Sequence, residues 1–233
     1  MDVRRAHLIL ITGMPGTGKS TLAGSLARHL GVPLICKDTI KEPLLDAVGA
    51  ADRAESRRLS DASFAVMFAL ARDCLRAGTD LILEGNFRVG AHESSLSALI
   101  NDANATDRND DGSANGVSVT QLLCRAPEHV RIARLKARSS DPSRHPGHRD
   151  ADLAVDVTLP DPVAGFAAGH VADVAADPAV DVTAVHAGGR FTSAADFLAL
   201  PSERFVFDSH ASPAQLKALF KSIAQRHRDR PHA

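Results

Sequence analysis

A mainly parallel β-sheet with helices on both faces, an α/β sandwich of three layers, is the fold this 233-residue sequence predicts. Two observations carry it. Short apolar runs alternate with stretches whose apolar residues recur at helical spacing, the order that a parallel sheet with crossover helices requires. The first apolar run, Leu8-Ile-Leu-Ile11, passes through a glycine-rich turn into a helical stretch that Gly31 closes.

The elements follow in order. His7 to Thr12 reads as the first strand and Lys19 to Leu30 as the first helix. Pro33 to Cys36 is a short second strand, and Asp38 or Thr39 suits the cap of a helix through Leu45. From Glu55 to Arg76, Leu59, Phe64, Met67, Phe68, Ala71 and Leu75 recur at helical spacing, and Gly78 closes that helix. Asp80 to Glu84 is a third strand, with a helix over His92 to Ile100 behind it. Asn101 to Gly116 is rich in Asn, Asp and Gly, and is expected as a surface loop or disordered insert. Val117 to Cys124 is a fourth strand, and Pro127 opens a basic helix to Ser139. Arg204 to Asp208 is a last strand and Pro213 to Ala224 a last helix. The tract 151–200 is rich in Ala, Val, Asp and Gly and is left unassigned. Length favours one domain over 1–233, with 101–116 as a polar insert and 139–152 as a lid loop.

Composition narrows the function classes. A formal charge of −1 gives no general pull toward nucleic acid or anionic membrane. The aliphatic runs fall far short of the roughly 20 residues of a membrane span, and the N-terminus has no signal-peptide core. Cys36, Cys74 and Cys124 are far apart among apolar neighbours, which reads as reduced core cysteines of a cytoplasmic protein. Trp and Tyr are absent, so stacking platforms for single strands are scarce.

Gly13-Met14-Pro15-Gly16-Thr17-Gly18-Lys19-Ser20, followed by Thr21, fills the pattern G-x-x-x-x-G-K-[ST] between a strand and a helix. In that setting the loop's backbone N–H groups and the helix N-terminus converge on phosphates. Lys19 can bridge the β- and γ-phosphates, and Ser20 can hold Mg²⁺. The expected ligand is a nucleoside triphosphate. No guanine-reading motif is present, which favours ATP.

Together with Leu34-Ile-Cys-Lys-Asp38, Leu81-Ile-Leu-Glu-Gly-Asn-Phe-Arg88 and Arg144-His-Pro-Gly-His148, this loop resembles the small P-loop kinases of the zeta-toxin and chloramphenicol-phosphotransferase type, a group of AAA-family ATPases. The resemblance covers about 6–150 and the final strand and helix. It implies a five-stranded sheet of order 2-3-1-4-5, a helical lid, and an acceptor pocket over the carboxyl ends of the strands, as in other open α/β sheets. It also implies an ATP- and Mg²⁺-dependent transfer of phosphate to a hydroxyl of a small molecule.

Within that scheme Asp38 is the candidate general base, since a carboxylate near the phosphates can take the hydroxyl proton. Its other reading is a helix cap. Lys41, three residues on, is an acceptor contact or a surface charge. Glu84 reaches Mg²⁺ through water or orients the acceptor, or is an ordinary strand-end carboxylate. Asn86 and Arg88 are further acceptor candidates, with Arg88 alternatively a surface charge. Asp208 shapes a base pocket at most.

Arg131, Arg134 and Arg138 share one helical face that leads into the Arg144–His148 loop. Such a stripe is either solvated or supplies cations to the transferring phosphate; Arg134, Arg138 and Arg144 are the candidates. His145 and His148 lack a third ligand for zinc and read as lid hydrogen-bond partners. His170, His186 and His210 read as incidental. Two other functions fit the loop: a regulatory ATPase or switch acting through a protein partner, and a polynucleotide 5′-kinase. Near-zero charge and the missing Trp and Tyr count against the last.

Overall fold

The strand His7–Gly13 (β1) runs through the centre of a five-stranded sheet, in a computed structural model that describes residues 6–106, 116–142, 144–148 and 197–228. After β1 come Lys19–Leu30 (α1), Leu34–Cys36 (β2), Lys37–Val48 (α2), Arg53–Arg76 (α3), Leu81–Glu84 (β3) and Glu93–Thr106 (α4). Then follow Ser118–Arg125 (β4), Glu128–Ser139 (α5), a 3-10 turn over Pro146–His148, Glu203–Asp208 (β5) and Pro213–Arg228 (α6). The sheet order is β2-β3-β1-β4-β5, and every pairing is parallel. This is the order that the kinase resemblance implies.

Alternation along β1 splits the core in two, because successive strand side chains face opposite sides. Leu8 and Leu10, with Leu81 and Leu83, pack under α3 and α4 against Phe64, Met67, Phe68, Leu96 and Leu99. Ile9 and Ile11, with Ile82 and Leu122, pack under α1 and α6 against Leu22, Leu26, Leu219 and Ile223. Both faces of the central strands are thus buried, which explains their unbroken apolar runs.

Three expectations change. α2 starts at Lys37 with Cys36 at the cap position, so Asp38 lies inside the first turn; neither it nor Thr39 is the cap. The chain turns from β2 straight into the helix, which sets the Asp38 carboxylate at the carboxyl end of the sheet. Secondly, α4 continues to Thr106, six residues into the expected polar insert. Ala103 there is buried, and Asp102 pairs with Arg72 and Arg76 of α3. Pairing with a neighbouring helix makes a helix of a stretch whose composition reads as loop. The rest of that insert, 107–115, lies outside the described residues.

Thirdly, the end of the unassigned tract belongs to the core. Phe197, Leu198 and Leu200 are buried, and the side chain of Gln121 on β4 bonds both the N–H and the carbonyl of Leu198 at 3.0 and 3.1 Å. Residues 151–196, which include His170 and His186, lie outside the described part, as do 143 and 149–152 of the lid loop. Among the described residues no helix is long and apolar enough to cross a membrane.

Candidate active site

The loop from Gly13 to Ser20 joins β1 to α1 through three glycines at positive φ: Gly13 at 150°, Gly16 at 84° and Gly18 at 86°. Gly13 is fixed by packing as well as by conformation. A Cβ there would stand 2.4 Å from the Cys124 carbonyl oxygen. Thr17 closes the loop on itself, its N–H and Oγ1 both donating to the Met14 carbonyl, at 3.3 and 2.8 Å. Gly18 occupies the cap position of α1, where no side chain caps the helix. The first N–H groups of α1, with no acid in its first turn, therefore suit an anion.

Lys19 Nζ lies 3.9 Å from Oε1 of Glu84, the last residue of β3, which stands beside Ile11 in the sheet. Glu84 is 3% exposed and lies beside the Ser20 and Cys36 side chains. Burial pushes its carboxyl above the usual range, against the pull of Lys19 and with a further push from Asp38. The Cys36 thiol is pushed up to about 12 by burial and by Glu84, and Cys124 to about 12 by burial. Both stay protonated near neutral pH.

No group of three or more His, Cys, Asp or Glu among the described residues is placed to hold a metal ion. A hydroxyl and a carboxylate at the loop are nevertheless the hard oxygen donors that Mg²⁺ takes alongside phosphate oxygens and water. Ser20 and Glu84 therefore fit that ion.

Asp38 stands among basic side chains. Lys37 Nζ is 3.2 Å from its Oδ1, while Arg144 and His148 lie 3.8 and 3.7 Å from its Oδ2. Burial alone would raise its pKa. Lys37, His148 and Lys19 outweigh burial and hold the carboxyl below its ordinary value. The side chain keeps 38% of its surface exposed, so the ionised group remains reachable.

Lys41 is buried and donates to Ser56 Oγ of α3 at 2.9 Å, which removes the surface-charge reading. Asn86 and Arg88 are exposed on the turn after β3. That turn is held by bonds from Thr12 Oγ1 to the Phe87 carbonyl at 3.1 Å and from the Arg88 N–H to His92 Nδ1 at 2.8 Å. Gly85 lets the turn lie against Phe64, whose Cε1 would be 3.2 Å from an added Cβ.

The arginine stripe on α5 divides. Arg131 Nε donates to the Pro15 carbonyl at 3.2 Å and Arg134 Nη1 to the Gly16 carbonyl at 3.0 Å, so both grip the phosphate loop. Arg138 is half-buried and makes no such bond to a described residue of the loop. Arg144, His145 and His148 instead dock on α2, against Asp38, Glu42 and Asp46. Asp208 accepts from the His210 N–H at 2.8 Å, closing the turn after β5.

Sequence reasoning missed Lys37, Glu42, Asp46, Thr12 and His92. Asp38, Glu42 and Asp46 recur every four residues, a helical spacing that marks one acidic face. The signal was present, but its partners Arg144, His145 and His148 lie about a hundred residues away.

Among solved structures, a protein of Chloroflexus aurantiacus provisionally described as a kinase matches with a TM-score of 0.66 at 24% identity, over 99% of this chain and 100% of that one. A shikimate kinase from Bacteroides thetaiotaomicron matches at 13% identity and TM-score 0.47, over 95% and 98% of the two chains. A gluconokinase from Sinorhizobium meliloti 1021 matches at 15% identity and TM-score 0.44, over 98% and 99%. No curated protein matches the sequence. Residues 8–154, from β1 through α5 and the 3-10 turn, match the AAA domain family, and the chain belongs to that family of P-loop proteins.

Proposed function

We propose that the protein is an ATP-dependent kinase that transfers the γ-phosphate to a hydroxyl of a small molecule. The observation that carries this reading is Asp38, an ionised and reachable carboxylate on the loop's side of the sheet, within the field of Lys19. In the transfer, the acceptor oxygen bonds the γ-phosphorus while the bond from that phosphorus to the bridging oxygen of ADP breaks. The hydroxyl proton passes to Asp38, and ADP leaves with the bridging electrons.

The other residues support the step by position and charge. The loop N–H groups and Lys19 hold the phosphates, with Arg134 bonded at the loop and Arg138 and Arg144 on the lid side as further cations. Ser20, with Glu84 beside it, would hold Mg²⁺, which neutralises phosphate charge when bound. Lys41, Glu84, Asn86 and Arg88 line the acceptor's approach in this reading. The thiols of Cys36 and Cys124, held protonated, suit a reducing cytoplasm.

The test is an ATP-consumption screen over hydroxyl-bearing metabolites and antibiotics, with Lys19→Ala as the blank. An acceptor that gains phosphate from the wild type and not from the blank is the expected result. Asp38→Asn should then bind ATP and transfer nothing; undiminished transfer by that variant overturns the base assignment.

A further inference from the structure

Asp38 and Glu42 lie one helical turn apart on the same face of α2, and they share two partners. His148 Nε2 hydrogen-bonds Glu42 Oε1 at 2.5 Å, while its Nδ1 is 3.7 Å from Asp38 Oδ2. Arg144 lies 3.7 Å from Glu42 Oε1 and 3.8 Å from Asp38 Oδ2. The arrangement is asymmetric. The one short bond runs from His148 to Glu42, while the His148 contact to Asp38 and both Arg144 contacts exceed hydrogen-bond distance. Asp38 meets Lys37 through its other oxygen.

The backbone keeps this spacing. Gly147 lies so close to α2 that an added Cβ would stand 2.4 Å from Leu45 Cδ1. Its N–H donates to His145 Nδ1 at 3.0 Å, leaving His145 Nε2 to donate to Asp46 at 2.9 Å. The His148 side chain is 7% exposed, enclosed between this turn and the helix.

We infer that Glu42 is a positioning residue for phosphoryl transfer: it holds the His148 ring beside Asp38 without letting it occupy Oδ2. The inference rests on the reading of Asp38 as the base. An acceptor hydroxyl needs that oxygen, and an imidazole released from Glu42 would turn onto it. Once Asp38 has taken the proton it loses its charge, and with it its pull on Arg144 and on the His148 ring. Glu42, outside the proton transfer, keeps the ring in place for the return.

The test measures loss of the γ-phosphate from radiolabelled ATP, as inorganic phosphate with water and as the phosphate monoester with ethylene glycol. Glu42→Gln should release phosphate about tenfold more slowly at an unchanged KM for ATP, since small misplacements near the chemistry cost rate rather than binding. Glu42→Asp keeps the charge and should recover part of the rate. Asp46→Asn loosens the same segment through His145 and should turn over as the wild type does. Wild-type turnover in Glu42→Gln overturns the inference. So do equal losses of rate and melting temperature in Glu42→Gln and Asp46→Asn, which would make Glu42 a docking contact only. Full release by Asp38→Asn overturns the base reading instead. A wild type that releases nothing with either probe counts against both.

Discussion

Arg134 Nη1 donates to the Gly16 carbonyl oxygen at 3.0 Å, so a guanidinium from α5 is bonded to the phosphate loop itself. One donor ties the helix to the loop, and the guanidinium has further donors to offer a phosphate. Arg134→Ala should lower phosphate transfer by about 10- to 100-fold, the scale for losing a preorganised donor to developing charge. Lys in its place should restore only part, having no fork to bond carbonyl and phosphate together. Single-turnover rates and ATP titration calorimetry check both variants.

Lys19→Ala should weaken ATP binding by about 10- to 100-fold, as expected for a lost charged hydrogen bond. Calorimetry with ATP reads this directly. Unfolding in denaturant should change little, because the Lys19–Glu84 contact at 3.9 Å is long.

Gly13→Ala should destabilise the fold by about 2–3 kcal/mol through strain and overpacking. The added Cβ would meet the Cys124 carbonyl oxygen at 2.4 Å and Thr17 Oγ1 at 2.9 Å, at a φ of 150°. Denaturant unfolding measures the loss. ATP binding should fall with it, since the loop and β4 must separate to admit the methyl group.

Glu84 and Asp38 should give opposite pH dependences of stability. Burial raises Glu84, so its ionised form costs stability. That cost is absent at acid pH, where the carboxyl is protonated folded and unfolded, and sets in as pH rises through the ordinary glutamate range. Glu84→Gln should therefore gain stability over the wild type from acid to neutral pH while losing activity. Asp38 is held low despite burial, chiefly by Lys37, so its contribution is present above the ordinary aspartate range and lost as pH falls through the folded value. Asp38→Asn should be less stable than the wild type at neutral pH, with the gap closing in acid. Denaturant unfolding across pH 3–8 in each variant, about the range where carboxyls titrate, separates the two signs.

Local pattern determined a great deal of this protein. The Gly13–Ser20 loop, the five strands and the helices around them are legible because each obeys a short-range rule: glycine where φ is positive, apolar residues at period two or 3.6, a break at Gly31 or Gly78. Where a stretch is stabilised by something remote, the same rules fail. Residues 101–106 read as loop and are helix because Asp102 pairs with α3 and Ala103 is buried. Lys41 reads equally as a surface charge until Ser56, fifteen residues on, is brought against it.

The site divides in the same way. The donor half lies in one contiguous segment, and the sequence by itself determined it. Only the tertiary structure decided that Arg131 and Arg134 grip the loop while Arg144 and His148 turn to α2, and that Asp38 and Glu42 share those partners. Helical spacing puts Arg131, Arg134 and Arg138 of α5 in one stripe, but a charge takes its role from the group it faces. Here those groups lie about a hundred residues away, and the sheet order sets them together.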